Sequence, residues 1–141
     1  MKNRRDNFYM KVAIDAAQES HAIRAKVGAV ITKDDNILSY GWNGMPAGMD
    51  NSCEYEENGS LITRPECIHA ETNAIGKLAK IKGGAQDSTL YVTLSPCITC
   101  SNLIKAAGIT RVVYQDQYRI PTGIVYLKNN LGIDVVQYTV T

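Results

Sequence analysis

The chain has 141 residues, is 45% hydrophobic and carries a formal net charge of +1. That length suits one domain with a real core, spanning residues 1–141, and is too short for two. The near-neutral balance removes any general electrostatic reason to expect nucleic acid or an anionic membrane as partner, and no apolar run approaches the roughly 20 residues of a membrane span. The opening Met1-Lys2-Asn3-Arg4-Arg5-Asp6 is polar and lacks the apolar centre of a signal peptide, so a reducing cytoplasm is the expected compartment. Two of the four cysteines form a C-x-x-C pair, Cys97 and Cys100. In such a compartment the others, Cys53 and Cys67, are expected to be free thiols or metal ligands rather than a disulfide.

Taken in chain order, residues 6–20 repeat apolar side chains at helical spacing, with Phe8, Val12 and Ala16 on one line and Tyr9 and Ala13 on another. Residues 27–31 and 37–40 are rich in β-formers and flank Lys33-Asp34-Asp35-Asn36, which predicts a hairpin. Residues 41–65 form a long Gly-, Pro- and Asn-containing stretch, of the kind that is usually functional or disordered inside a compact domain. A helix is predicted from His69 through Leu78, with Gly83-Gly84 beyond its end. Residues 90–93 predict a strand. Ser95-Pro96 then predicts an N-cap with proline at the first helical position, and Gly108 ends that helix. A strand at 111–114, a helix at 124–130 and a strand at 135–140 follow. A hairpin followed by alternating helices and strands predicts an α/β fold with a mixed sheet whose later strands run parallel and whose faces carry helices.

The chemistry-bearing residues are His69-Ala70-Glu71 and Pro96-Cys97-Ile98-Thr99-Cys100. Cys97 and Cys100 lie one helical turn apart and so emerge on one face. They sit in the first turn, where the helix dipole favours thiolates. With His69 they give three zinc ligands, and a catalytic zinc keeps its fourth position open for water. Glu71 is left to move protons between that water and a substrate. If both helices begin at the same edge of the sheet, their N-termini converge, with the strand at 90–93 setting their separation. A closed alternative exists: Cys67, two residues before His69, could complete a structural Cys3His site, although that leaves Glu71 without a role. A third reading makes all of these residues core.

The spacing H-x-E…P-C-x-x-C is similar to that of zinc nucleobase deaminases, in which zinc activates water and the Glu acts as general acid and base. His69-Ala70-Glu71-Thr72-Asn73-Ala74 and Ser95-Pro96-Cys97-Ile98-Thr99-Cys100 together resemble the cytidine deaminase-like superfamily. Val27-Gly28-Ala29-Val30-Ile31 fits the same group, and Gly41-Trp42-Asn43-Gly44-Met45-Pro46-Ala47-Gly48 looks more like the deoxycytidylate deaminases, the phage-encoded ones above all. The resemblance implies a three-layer α/β/α cytidine deaminase-like fold with a five-stranded mixed sheet and one catalytic Zn2+. It implies conversion of dCMP to dUMP and ammonia for dTMP synthesis, activation by dCTP with Mg2+, inhibition by dTTP, and a homohexamer in the host cytoplasm. Some phage relatives carry a second, structural zinc, but Ser20-His21-Ala22 holds no cysteine and Ser52-Cys53 only one, which argues against that site here.

Substrate contacts are expected from five residues. Asn43 offers a donor and an acceptor to sugar or base, as the matching Asn of the family does, and it also suits a turn before Gly44. Ser95 could present a backbone group to the base and cap its helix. Lys26, Tyr118 and Arg119 are the candidate phosphate set, with Tyr118 matching a family Tyr. By resemblance, Gly44, Met45, Asp50 and Glu54 fall in the effector region. The competing expectations are a deaminase of polynucleotide or of another nucleotide, such as dCTP or tRNA adenosine, and a non-catalytic zinc-stabilised module. A polynucleotide reader wants a basic, aromatic groove, which a chain with one Trp and one Phe supplies poorly.

Overall fold

A computed structural model describes residues 4–81 and 83–139. Its elements are α1 (Arg4–Ala17), β1 (Gly28–Lys33), β2 (Asn36–Trp42), β3 (Glu54–Glu57), β4 (Ser60–Thr63), α2 (Ala70–Ala79), β5 (Thr89–Leu94), α3 (Ile98–Ala106), β6 (Arg111–Asp116), α4 (Thr122–Asn129) and β7 (Asp134–Gln137). Five strands form one sheet in the order β2-β1-β5-β6-β7. β1 is antiparallel to β2 and to β5, while β5, β6 and β7 run parallel. The mixed sheet with parallel later strands is therefore as predicted.

Alternation along the central strands sorts the core into two layers. Ala29, Ile31, Leu90, Val92, Val112 and Tyr114 point to one face, where Ala70, Ala74 and Leu78 of α2, Ile104 of α3 and Leu127 of α4 cover them. Val30, Tyr91 and Val113 point to the other, against Tyr9, Met10 and Ala13 of α1. The result is the expected α/β/α sandwich. The buried line of α1 is Tyr9, Met10, Ala13, Ala16 and Ala17, whereas Phe8 is 51% exposed, so the predicted Phe8–Val12 line is not the core stripe. Asp6, buried in the same helix, receives Arg111 at 3.0 and 3.1 Å and the Tyr91 hydroxyl at 2.6 Å, which ties α1 to β5 and β6.

The turns explain one success and one miss. Asp34 and Asp35 take φ of 51° and 61°, the positive values of a two-residue hairpin turn, and join β1 to β2 as expected. The stretch 41–65, expected to be a long functional or disordered loop, contains the β3–β4 hairpin, turned by Asn58 and Gly59 at φ of 51° and 79°. Asn-Gly is a strong hairpin signal, here flanked by strands of only four residues with little apolar alternation. Gly41 on β2 matters for placement: a Cβ there would lie 2.7 Å from the Ala74 nitrogen and 2.9 Å from the Ala70 oxygen. The bare backbone lets α2 lie directly on the strand, which fixes where its N-terminus emerges.

Candidate active site

Two helix N-termini converge at the sheet edge. His69 is the N-cap of α2, with extended backbone (φ −70°, ψ 154°) and no capping bond from its ring. That freedom lets Nδ1 lie 3.2 Å from Cys100 Sγ and 3.7 Å from Cys97 Sγ. Cys97 is itself the N-cap of α3, its sulfur accepting the Cys100 N–H at 3.4 Å. The predicted cap, Ser95, does not cap: its hydroxyl accepts the Tyr118 N–H at 2.7 Å and so pins the loop after β6 to the end of β5. Pro96 stands before the helix rather than in its first turn.

The ligand atoms of His69, Cys97 and Cys100 all lie within 4.8 Å of one another, and among the described residues they form the one His/Cys/Asp/Glu group so arranged. One imidazole and two thiols at that spacing fit a tetrahedral zinc with a fourth position left open. The electrostatics favour this use. Bonds from Cys100 and His69 hold the Cys97 thiol well below its ordinary range, and the same bond to Cys97, with burial, raises Cys100. The bond to Cys97 also raises His69. Cys67 does not join. It packs with Cys53, Ala22 and Met45 in a separate apolar cluster, and burial, followed by the Cys53 thiol, pushes its pKa up to about 12. The closed Cys3His alternative therefore loses its fourth ligand.

Glu71, in the first turn of α2, is 3% exposed. Burial pushes its carboxyl up to about 7, against bonding to its own backbone and the charge of His69, which lower it. The two-residue spacing does not separate it from His69, because His69 lies outside the helix. A carboxyl poised near neutral pH beside a metal-type cluster suits proton transfer in both directions.

His69, Glu71 and Cys97 line one cavity of about 450 Å³, shared with Arg24, Asn43, Glu54, Thr63, Cys67, Ser95, Tyr118 and Arg119. Lys26 does not line it; it borders a second cavity of about 240 Å³ with Gln18, Gln115 and Asp116. The expected phosphate set is thus divided, and Arg24, which sequence reasoning missed, stands on the main cavity instead. No periodicity or motif marks Arg24. Asn43 lines the cavity, yet its Oδ1 accepts the Val27 N–H and its Nδ2 donates to the Ala25 carbonyl, both at 2.9 Å. Asn43 therefore holds the 25–27 segment as well as facing the cavity.

The expected effector residues also part company. Gly44 exchanges backbone bonds with Ile68, Met45 packs on the Cys53–Cys67 cluster, and Asp50 accepts the Ser52 N–H in an exposed turn. None of the three lines the main cavity. Glu54 does line it, with its carboxylate engaged by the N–H groups of Ile23 and Arg24.

Residues 3–116 match the cytidine and deoxycytidylate deaminase zinc-binding region. The chain belongs to this family. It is 42% identical to the dCMP deaminase of the cyanophage S-TIM5, crystallised with dCMP and dUMP, over 98% of this chain and 99% of that one, with a TM-score of 0.89. It is 41% identical to the deoxycytidylate deaminase of Mycobacterium phage D29, across 77% of this chain and 92% of the relative. The Saccharomyces cerevisiae deoxycytidylate deaminase is 34% identical over 96% of this chain, which spans only 45% of that longer relative.

Proposed function

We propose that the chain is a zinc-dependent deaminase that converts dCMP and water to dUMP and ammonia. The observation that carries this reading is a buried Glu71, with a pKa of about 7, beside the His69–Cys97–Cys100 cluster on one cavity of nucleotide size. Near end-to-end similarity to the cyanophage dCMP deaminase supports the choice of substrate.

His69, Cys97 and Cys100 would hold the metal. When bound, zinc supplies the Lewis acidity that turns water into a nucleophile near neutral pH. Glu71 takes the proton of the attacking water and delivers it to the pyrimidine ring nitrogen. It then helps protonate the amino group, which departs as ammonia. Its burial serves both halves, since a carboxyl that titrates near pH 7 gives up a proton as readily as it accepts one. The Ser95–Tyr118 bond holds the loop that carries Arg119 against the cavity.

Activation by dCTP with Mg2+, inhibition by dTTP and a homohexamer are part of the proposal and rest on family membership. The exposed run 47–52, beside Gly44 and Met45, supports an effector role for that wall. A cytoplasmic setting accords with a free-nucleotide substrate, and no helix among the described residues is long and apolar enough to cross a membrane.

The test is ammonia release from dCMP, dCTP, deoxycytidine and a short RNA hairpin. Turnover of dCMP above the others is expected. Turnover of the hairpin without dCMP would replace this function with a polynucleotide deaminase.

A further inference from the structure

β2 lies at the edge of the sheet, beside β1. Its other support comes from α2, through a seam of side chains. Ser39 Oγ donates to the Ala74 carbonyl at 2.7 Å, and Lys77 Nζ lies 3.9 Å and 5.1 Å from the ring centroids of Tyr40 and Trp42. Gly41 lets the two backbones come together between these ties. A further tie is Asn73, near the start of α2, whose Nδ2 donates to the Trp42 carbonyl at 2.7 Å.

That last bond falls where two parts of the cavity meet. β2 ends at Trp42 and α2 begins at Ala70, and both ends open on the cavity. Asn43, which follows Trp42, lines it together with His69 and Glu71. On the other side of Asn43, the Gly44 N–H donates to the Ile68 carbonyl at 3.0 Å and the Ile68 N–H donates to the Gly44 carbonyl at 2.8 Å. Asn43 is thus held on both flanks by the segment that carries His69 and Glu71: at residue 42 by Asn73, and at residue 44 by Ile68. The Asn43 amide uses one N–H on the Ala25 carbonyl and one lone pair on the Val27 N–H. One N–H and one lone pair are left over for a ligand in the cavity.

We infer that Asn73 is a positioning residue for deamination: its amide fixes Asn43 relative to Glu71, and so sets the substrate in register with the carboxyl that moves the protons. This rests on the deaminase reading above. Glu71 must reach both the attacking water and the ring nitrogen, so a small displacement of the ring takes one of them out of hydrogen-bond range. The Gly44–Ile68 bonds are main-chain bonds, which leaves Asn73 as the side chain on which this register depends. Asn73 acts through Trp42 and Asn43, and it joins the substrate wall and Glu71 into one unit.

The experiment measures kcat and KM for dCMP in wild type, Asn73→Ala, Asn73→Asp and Ser39→Ala, with the zinc content and thermal unfolding of each. Ser39→Ala is the control, because it removes a different hydrogen bond of the same seam, away from residues 42–44. Asn73→Asp keeps the shape of the side chain and puts an acceptor where the N–H was. Both Asn73 variants should keep one zinc per chain and lose roughly 10- to 100-fold in kcat, the usual cost of a misplaced reacting group, with KM little changed. Ser39→Ala should lose a similar amount of thermal stability and keep its kcat. An unchanged kcat in the Asn73 variants, an equal loss in Ser39→Ala, or a loss carried by KM alone would overturn the assignment. Loss of zinc would overturn it too, and would make Asn73 a support of the metal site. A wild-type protein that deaminates no cytosine compound would sink the deaminase reading itself, whereas an active wild type with fully active Asn73 variants would remove only the role of Asn73.

Discussion

The molecule contains two regions with two cysteines each, and they treat the thiol in opposite ways. At the converging helix ends, Cys97 caps α3 beside His69, and its thiol is held well below the usual range by the bonds it receives from Cys100 and His69. In the wall formed by residues 43–67, Cys53 and Cys67 sit with Ala22 and Met45, and the Cys67 thiol is pushed up to about 12. Cys67 is only two residues from His69 in sequence, closer than either C-x-x-C cysteine. Proximity along the chain does not make a metal ligand. Directed N–H groups and a neighbouring imidazole do, whereas an apolar pocket leaves a thiol protonated and inert.

Substitutions can break this contrast. The largest effect belongs to Cys97→Ala, which should reduce zinc from one per chain to near zero and abolish turnover, as read by metal analysis and ammonia release. Next is Glu71→Gln, which should keep its zinc and lose about 10²- to 10⁴-fold in kcat, the usual contribution of a positioned acid–base group. Loss of metal instead would make Glu71 a ligand.

The same substitution has a pH signature. A carboxyl whose folded pKa is raised from 4.5 to about 7 favours folding only when protonated. The loss of stability is therefore absent below pH 4.5, grows between pH 4.5 and about 7 and is complete above that. In chelator-treated protein, Glu71→Gln should be more stable than wild type by about 3 kcal/mol at pH 8 in urea melts, and equally stable at pH 4. An equal stability at both pH values would mean that the buried carboxyl is not desolvated. The smallest effect is Cys67→Ala, expected to cost about 1 kcal/mol of stability while zinc content stays at one per chain.

The same contrast explains what was legible in the sequence. The mixed sheet with parallel later strands and the approximate helix positions follow from local signals: short runs of β-formers in β1, β5 and β6, the Asp34-Asp35 turn, and Gly108 after the end of α3. The His69, Glu71, Cys97 and Cys100 set was legible because each residue sits at a helix start whose position the chain announces. The wall was not. Its hairpin has strands of four residues, and Asn58-Gly59 was its single clear signal. Arg24 is brought to the cavity by Glu54 and Thr63, 30 and 39 residues away, so nothing local could single it out over Lys26. Phe8 and Val12 had the right periodicity, but α1 turns the adjacent stripe to the sheet. Ser95 had the composition of a cap, but the Tyr118 amide reaches its hydroxyl and Cys97 caps in its place.

The metal centre is expected to have three protein ligands and an open fourth position, with Cys67 outside it. X-ray absorption at the zinc edge of the wild-type protein measures this directly. Two sulfur neighbours at about 2.3 Å and two nitrogen or oxygen neighbours at about 2.0 Å are expected, unchanged in Cys67→Ala. Three sulfur neighbours in wild type, falling to two in Cys67→Ala, would contradict it and make the centre a closed structural site.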